Sequence, residues 1–294
     1  MFRILITGAS GFVGRKVVEE ILKTYPNNDV VALASNELTI STILHNNYNI
    51  DENYLLNNGC ENVEVILHIG AYTPKSGEES NYIFENNRNI YTTETLLRQN
   101  LPNLKKIVFI STLDVYAPCE IINEQSLVEP VSIYGWSKLY CEKMIESYAK
   151  EKNIKYNILR LGHVYGEGEE HYNKILPLTI KKILNNEPIE IYGDGNAIRT
   201  FIYIEDVAKA IVKSIDIDYN TINVVGSEPI TIRNLVKKII NISKKEIKIV
   251  YTHPEMQNRN LIFDNTLLKK YLLKEITDLN YGLEKEYHYM EKVH

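Results

Sequence analysis

The feature that most constrains this chain is the segment Thr7-Gly8-Ala9-Ser10-Gly11-Phe12-Val13-Gly14, whose glycines recur at three-residue intervals where an apolar run gives way to a helical stripe. Upstream, Phe2-Arg3-Ile4-Leu5-Ile6 reads as a strand; downstream, Val13, Val17, Val18, Ile21 and Leu22 recur at helical spacing until Pro26 stops them. Glycine at such a junction permits a tight turn and close backbone approach, and the free N–H groups and positive end of the following helix favour a pyrophosphate. Spacing alone would fit a purely structural turn, but the strand before and the helix after favour a dinucleotide-binding one. Gly8, Ser10, Gly11, Phe12, Val13 and Gly14 are therefore the first candidate cofactor contacts. The interval differs from the G-x-G-x-x-G form.

Beyond the turn, short β-branched runs at 29–34, 63–70, 106–112 and 156–161 alternate with helical stretches at 82–100 and 134–151. That alternation is expected of βαβ units building a parallel sheet covered on both faces. The Asn-rich region 36–58 supports only a strand near 48–50. After Gly166 the texture changes to a Glu- and Gly-rich loop, a helix around 174–185, and short strands punctuated by Pro188 and the turn Gly193-Asp194-Gly195. A strand at 201–204, a helix at 205–216 and a strand at 221–225 are expected to return to the main sheet. The expected fold class is α/β: a Rossmann-type doubly wound parallel sheet with a smaller, interleaved C-terminal α+β substrate domain. Residues 1–165 form its dinucleotide-binding part, 201–226 return to it, and 166–294 are mainly substrate-binding.

At 294 residues the chain can bury a full-sized core, and 44% hydrophobic with 24% charged residues is ordinary for a globular protein. A formal net charge of -5 without a Lys/Arg block gives no electrostatic case for nucleic acid or an anionic membrane. No apolar run is long enough to span a bilayer, and the N-terminus lacks the pattern of a signal peptide. Cys60, Cys119 and Cys141 are scattered and odd in number, without metal-type spacing, which favours reduced thiols in a cytoplasmic protein and no metal site.

The second strand ends Ala34-Ser35-Asn36, where an NAD-preferring site would carry Asp or Glu for the adenosine ribose. Neither acid is present. Ser35 and Asn36 leave room for the 2′-phosphate of NADP, although the Arg that normally meets it is also missing nearby, so the expected cofactor is NADP or NAD, inclining to NADP.

Tyr134-Gly135-Trp136-Ser137-Lys138 sets Tyr and Lys one helical turn apart on one face. A lysine ammonium near a phenol favours phenolate, drawing a pKa of about 10 toward neutrality so that the tyrosine can exchange a proton with a hydroxyl. The pair alone is common on solvated helices. Its setting changes that, because Ile110-Ser111-Thr112-Leu113-Asp114 ends a strand upstream and delivers hydroxyls to the carboxyl edge of the sheet, where open α/β sheets bind ligands. Asp114 reads equally as a helper acid or a turn residue.

The glycine turn, Ser111-Thr112-x-x-Val115-Tyr116 and Pro130-x-Ser132-x-Tyr134-Gly135-x-Ser137-Lys138 together resemble the extended short-chain dehydrogenase/reductases, the NAD-dependent epimerase/dehydratase group that modifies nucleotide-linked sugars. His68-Ile69-Gly70-Ala71 resembles the family's cofactor-lining strand end, and Asn89-Ile90-Tyr91-Thr92-Thr93 its Asn-x-x-Gly-Thr helix with Thr92 replacing glycine. Tyr192-Gly193-Asp194-Gly195-x-x-x-Arg199 looks like its nucleotide-sugar segment. The resemblance implies Thr112, Tyr134 and Lys138 as catalytic residues, and Gly70, Ala71, Asn89 and Ile110, with Tyr134 and Lys138, as further cofactor contacts. It implies Thr73, Thr112, Asp114, His163, Arg199 and Arg259 as substrate contacts, the two arginines on the diphosphate. His163 replaces an Asn common in relatives and fits either a substrate contact or a satisfied core residue. Leu113 stands where 4,6-dehydratases carry an acidic or polar residue for the elimination, which ranks dehydration third. Of the two remaining reactions, reduction of a nucleotide-linked 4-keto-6-deoxy sugar is the expected one and 4-epimerisation the alternative. A catalytically silent NAD(P)-binding regulator is the rival of a different class. The family often dimerises through two helices per subunit, which here implies a homodimer packed through 86–100 and 134–151.

Overall fold

The computed structural model describes residues 3–25, 29–253 and 260–294. In chain order its first elements are β1 (Arg3–Thr7), α1 (Phe12–Thr24), β2 (Asp29–Ala34), β3 (Ser41–Leu44), α2 (Tyr54–Asn57), β4 (Val63–His68), α3 (Ile83–Leu97), β5 (Lys106–Thr112), β6 (Ile121–Ile122), α4 (Ile133–Lys152) and β7 (Lys155–Leu161). Then follow β8 (His163–Tyr165), α5 (Ile175–Leu184), β9 (Ile189–Tyr192), β10 (Ile198–Tyr203), α6 (Ile204–Lys213), β11 (Thr221–Val224), β12 (Pro229–Thr231) and α7 (Ile232–Ser243). The last are β13 (Ile249–Thr252), β14 (Ile262–Phe263), α8 (Thr266–Tyr271) and α9 (Leu279–Val293). The chain divides into two interleaved units, one of residues 1–117, 127–161 and 207–222, the other of 118–126, 162–206 and 223–294.

The first unit is built on a seven-stranded sheet in the order β11-β7-β5-β4-β1-β2-β3. The pairings β2–β3, β1–β2, β1–β4, β4–β5 and β5–β7 are all parallel. Parallel strands need crossovers, and helices on the faces leave strand interiors dry, which is why Ile4-Leu5-Ile6, Val30 to Ala34 and Ile107 to Ile110 are buried without alternation. One core cluster joins Leu5, Val31, Leu33, Ile66, Ile107 and Phe109 of the sheet to Leu96 of α3 and Cys141 and Ile145 of α4. Full burial of each such large apolar side chain is worth roughly 1.5–3 kcal/mol. Strand order reverses between β1 and β4, and the carboxyl ends at that point are where such sheets hold ligands.

Two expectations are corrected. The strand foreseen near 48–50 is instead β3 at Ser41–Leu44, and Asn47 and Tyr48 form a left-handed turn with φ of 50° and 57°. The segment 201–226 does not return to the main sheet from its start. β10 pairs with β8 and β12 in a three-stranded sheet of the second unit, and the return to the first unit begins at Val207.

The second unit also holds the two-stranded pairs β13-β9 and β14-β6. Tyr165 and Phe201 meet edge to face at 6.3 Å, and Asp206 accepts hydrogen bonds from the Thr277 N–H and hydroxyl at 2.7 and 2.9 Å. Glu169 and Glu286 are both buried there, and burial pushes both carboxyls up. Among the described residues no helix is long and apolar enough to cross a membrane, and no cluster of His, Cys, Asp and Glu could hold a metal ion.

Candidate active site

The turn after β1 is compressed to bare backbone. Gly8 has φ +71°, and a Cβ there would lie 2.5 Å from the Gly70 Cα at the end of β4. A Cβ on Gly14 would lie 2.0 Å from the Gly8 oxygen, so α1 presses directly on the turn. The Gly11 N–H closes the turn on the Gly8 carbonyl at 3.0 Å, and Gly11 begins α1 with no side chain capping the helix. No acid occupies the first turn of α1, Ser10 and Gly11 are exposed, and Phe12 and Val13 are half-buried. A helix start with uncapped N–H donors, approached by a backbone without side chains, fits a dinucleotide pyrophosphate.

Behind the turn a chain of hydrogen bonds fixes the ends of β1 and β4. The Gly70 N–H donates to Thr7 Oγ1 at 3.0 Å, and that hydroxyl meets His68 Nδ1 at 2.8 Å. His68 Nε2 meets Thr93 Oγ1 at 3.0 Å, and the Thr93 hydroxyl donates to the Asn89 carbonyl at 2.8 Å. One arrangement satisfies every link: Thr7 donates to Nδ1, and the proton sits on Nε2. Burial, and then the charge of Lys138, hold the His68 pKa down to about 3, so the ring stays neutral. The Asn89 side chain takes the Tyr72 N–H at 2.7 Å and donates to Ser137 Oγ of α4 at 3.2 Å. Asn89 is thus buried in the frame just behind Gly70 and Ala71. Thr73, two residues beyond Ala71, is exposed.

α4 begins at Ser132, whose Oγ accepts the Gly135 N–H at 3.1 Å. Gly135 lies flat against the segment after Thr112: a Cβ there would be 2.3 Å from the Asp114 carbonyl oxygen. Tyr134 is thereby delivered beside the end of β5, with both Tyr134 and Thr112 nearly buried. Thr112 Oγ1 accepts the Asp114 N–H at 3.2 Å, which keeps the Thr112 hydroxyl proton for donation elsewhere. Asp114 itself is exposed, and its backbone groups build the junction. Lys138, one turn after Tyr134, is 3% exposed with its ammonium 4.2 Å from the centre of the Phe109 ring. Burial lowers its pKa to about 8 against the opposing pull of Cys141 and Glu142, so it remains largely cationic at neutral pH. Ile110 is buried in β5, and Ser35 and Asn36 are exposed after β2, 3.5 Å apart through Asn36 Nδ2 and Ser35 Oγ.

In the second unit, β8 and β10 pair with His163 opposite Phe201, two residues from Arg199. His163 Nδ1 is buried with no hydrogen-bond partner among the described residues, and burial followed by the charges of Arg199 and Lys174 holds its pKa near 4. Arg199 is half-buried and donates to the Ile198 carbonyl at 2.9 Å. Arg259 lies outside the described residues.

Several members of the frame escaped the sequence reading. Tyr48, pushed up to about 12 by burial, brings its hydroxyl within 3.0 Å of a Cβ built on Gly70. Glu142 and Arg160 form an ion pair at 2.6 Å with side chains 2% and 8% exposed. Only Arg160 carried a readable signal, since a lone arginine inside the apolar run Asn157-Ile158-Leu159-Arg160-Leu161 requires a buried counter-charge.

Together these groups supply a phosphate-binding turn, a hydroxyl donor, a phenol and a neighbouring ammonium. That set suits proton exchange with a substrate hydroxyl coupled to hydride transfer. Residues 4–226 match the NAD dependent epimerase/dehydratase family. The chain is 30% identical to a dTDP-D-glucose 4,6-dehydratase of Dictyostelium discoideum over 82% of its own length and 62% of that enzyme's. It is 27% identical to a putative UDP-glucose 4-epimerase of Methanocaldococcus jannaschii over 98% of both. The solved UDP-glucuronic acid 4-epimerase of Bacillus cereus, in complex with UDP-glucuronic acid and NAD, superposes with a TM-score of 0.83 and 25% identity, covering 100% of each chain.

Proposed function

The chain belongs to the NAD-dependent epimerase/dehydratase family, and from that premise we propose that it is a nucleotide-sugar 4-epimerase using NAD. Its relatives are enzymes of nucleotide-linked sugars, so the chemistry is hydride transfer at a sugar carbon. The observation that carries 4-epimerisation is the end-to-end likeness to a 4-epimerase that holds both NAD and a UDP-sugar. It moves the reading away from the ketoreductase, and from NADP, that the absence of an acid at Ser35 or Asn36 had favoured. Dehydration stays third because Leu113, 7% exposed, offers neither acid nor base beside Thr112.

Gly8, Gly11 and Gly14 would hold the pyrophosphate of the cofactor, with Ser10, Phe12, Val13, Ser35, Asn36, Gly70, Ala71 and Ile110 around it. Held there, NAD would supply a reversible hydride acceptor for oxidation and re-reduction at the sugar C4. Tyr134 takes the proton of the C4 hydroxyl and gives it back, Lys138 stabilises the negative oxygen that results, and Thr112 donates a hydrogen bond to the reacting oxygen. Arg199 grips the diphosphate, and Nδ1 of the neutral His163 offers a hydrogen bond to the sugar; Thr73, Asp114 and Arg259 complete the proposed contacts. The nucleotide is a uridine or thymidine diphosphate, as the relatives' names support.

The test is to denature the purified protein, identify the released cofactor by mass spectrometry, and follow C4 inversion of UDP-glucose, UDP-glucuronic acid and dTDP-glucose. Near-stoichiometric NAD with inversion and no net cofactor consumption is expected. An empty site with stoichiometric NADPH oxidation on a nucleotide-linked 4-keto-6-deoxy sugar would make it a ketoreductase instead.

We also propose a homodimer through α3 and α4, in a cytoplasmic setting that the free thiols of Cys60, Cys119 and Cys141 support. The inward face of α3 is polar, with Asn86, Asn89 and Thr93 buried, while Phe84 is 88% exposed and Tyr91 48%. Trp136 and Tyr140 of α4 are 51% and 57% exposed, and aromatic surface of this extent on adjacent helices marks an association face. Phe84→Glu with Tyr140→Glu should convert the dimer to monomer in light scattering. A wild-type protein that is already monomeric at micromolar concentration would refute the dimer.

A further inference from the structure

Two residues outside the proposed machinery, Ser111 and Arg160, converge on a single buried carboxylate, that of Glu142. Glu142 Oε1 accepts the Ser111 hydroxyl at 2.5 Å and Arg160 Nε at 3.0 Å, and Oε2 accepts Arg160 Nη2 at 2.6 Å. Ser111 and Arg160 are direct cross-strand partners on β5 and β7, so two adjacent strands grip the same group on α4. Glu142 continues the row Tyr134, Lys138, Glu142 along one face of the helix, one turn apart each. Ser111 immediately precedes Thr112, and the Arg160 guanidinium also stacks over the Tyr116 ring at 4.7 Å, just past the turn that follows Thr112. The Thr112 backbone is therefore pinned on both sides by groups that also hold α4.

We propose that Glu142 and Arg160, with Ser111, are positioning residues that lock the Tyr134–Lys138 helix to the Thr112 strand. The proposal rests on the catalytic assignment of Thr112, Tyr134 and Lys138 given above. Stability alone is a weak reason for such a pair, because replacing a buried ion pair with well-packed residues of similar volume is often neutral or better. Geometry is the stronger one, since small displacements of reacting groups cost large factors in rate.

Glu142 also acts on Lys138 electrostatically. The groups acting on that ammonium are Cys141 and Glu142 on α4, His68 on β4 and the Phe109 ring on β5. Glu142 and Cys141 favour the charged lysine, while burial opposes it. Removing the Glu142 charge should drop the Lys138 pKa below about 8, and the basic limb of the kcat profile should move to lower pH with it.

The experiment compares wild type, Tyr134→Phe, Ser111→Ala and the double variant Glu142→Gln/Arg160→Met, which leaves no unpaired buried charge. For the double variant the expectation is a melting temperature and NAD content near wild type, an unchanged KM for the nucleotide sugar, kcat lower by about 10-fold to 100-fold, and a basic limb moved downward. Ser111→Ala should lose about threefold to tenfold in kcat with the limb in place, because no charge has changed. A folded double variant with wild-type kcat and limb would overturn the proposal. Should the double variant not fold, wild-type kcat in Ser111→Ala would overturn it instead. Loss of turnover in Tyr134→Phe alone means that the positioning claim fails while the catalytic assignment stands. Unchanged turnover in Tyr134→Phe means that the assignment itself has failed.

Discussion

Tyr134→Phe lowers kcat by about 10²-fold to 10⁴-fold, the usual worth of a positioned proton donor and acceptor, and leaves the NAD content of the purified protein unchanged. The ring is nearly buried, and phenylalanine preserves its packing. α4 keeps its Ser132 cap and its flat contact between Gly135 and the Asp114 carbonyl, neither of which uses the phenol. Only the proton-carrying oxygen is lost, so the effect falls on turnover and not on assembly of the site. Steady-state kinetics on whichever nucleotide sugar is inverted, with cofactor content measured on the same sample, checks this. Wild-type turnover in the variant would return the chain to the rival class of a silent NAD-binding protein on the same fold.

Gly14→Ala should abolish retention of NAD, weakening it by more than about tenfold, or 1.4 kcal/mol, and should destabilise the fold by about 1–3 kcal/mol. The new methyl would lie 2.0 Å from the Gly8 oxygen and 2.8 Å from the Ala9 Cα. Both are backbone atoms in the turn, so relief requires α1 to move off the site its N-terminus serves. Gly11→Ala is the control, because its methyl would stand 3.2 Å from the same oxygen and asks for a shift of only a few tenths of an ångström. Cofactor content by absorbance and the calorimetric midpoint read the two consequences separately. A Gly14→Ala protein with wild-type NAD content would show that contact between helix and turn does not position the phosphates.

The parts of this molecule that could be read from the sequence are those where local chemistry and long-range position agree. The turn at Gly8 to Gly14 is marked by a change from strand to helical period on either side. Tyr134 and Lys138 are marked by four-residue spacing close behind a strand end. What stayed hidden has physical reasons. β3 is a four-residue edge strand with only Ile43 buried, so no alternation announces it, and the left-handed pair Asn47 and Tyr48 has no apolar signature. β10 has the apolar run of a central strand, yet its partners are β8 and β12; hydropathy reports that a strand is buried, not which sheet takes it. The frame of Thr7, His68, Thr93 and Asn89 is assembled from three elements far apart in sequence, and each residue alone looks like an ordinary strand or helix position. Glu142 had no visible link to Arg160 because spacing on a helix says nothing about which strand lies beneath it.

The interleaving has a consequence for how the molecule is made. Residues 207–222 complete the first unit, but the ribosome delivers them only after 162–206, which belong to the second. At about 5–20 residues per second, β7 emerges seconds before β11, its neighbour in the finished sheet, and for that time it presents an unpaired strand edge. The nascent chain cannot finish its first unit early and then append the rest; both units close only late in synthesis. A truncation just after Leu161 would therefore strand an open sheet rather than release a small autonomous domain.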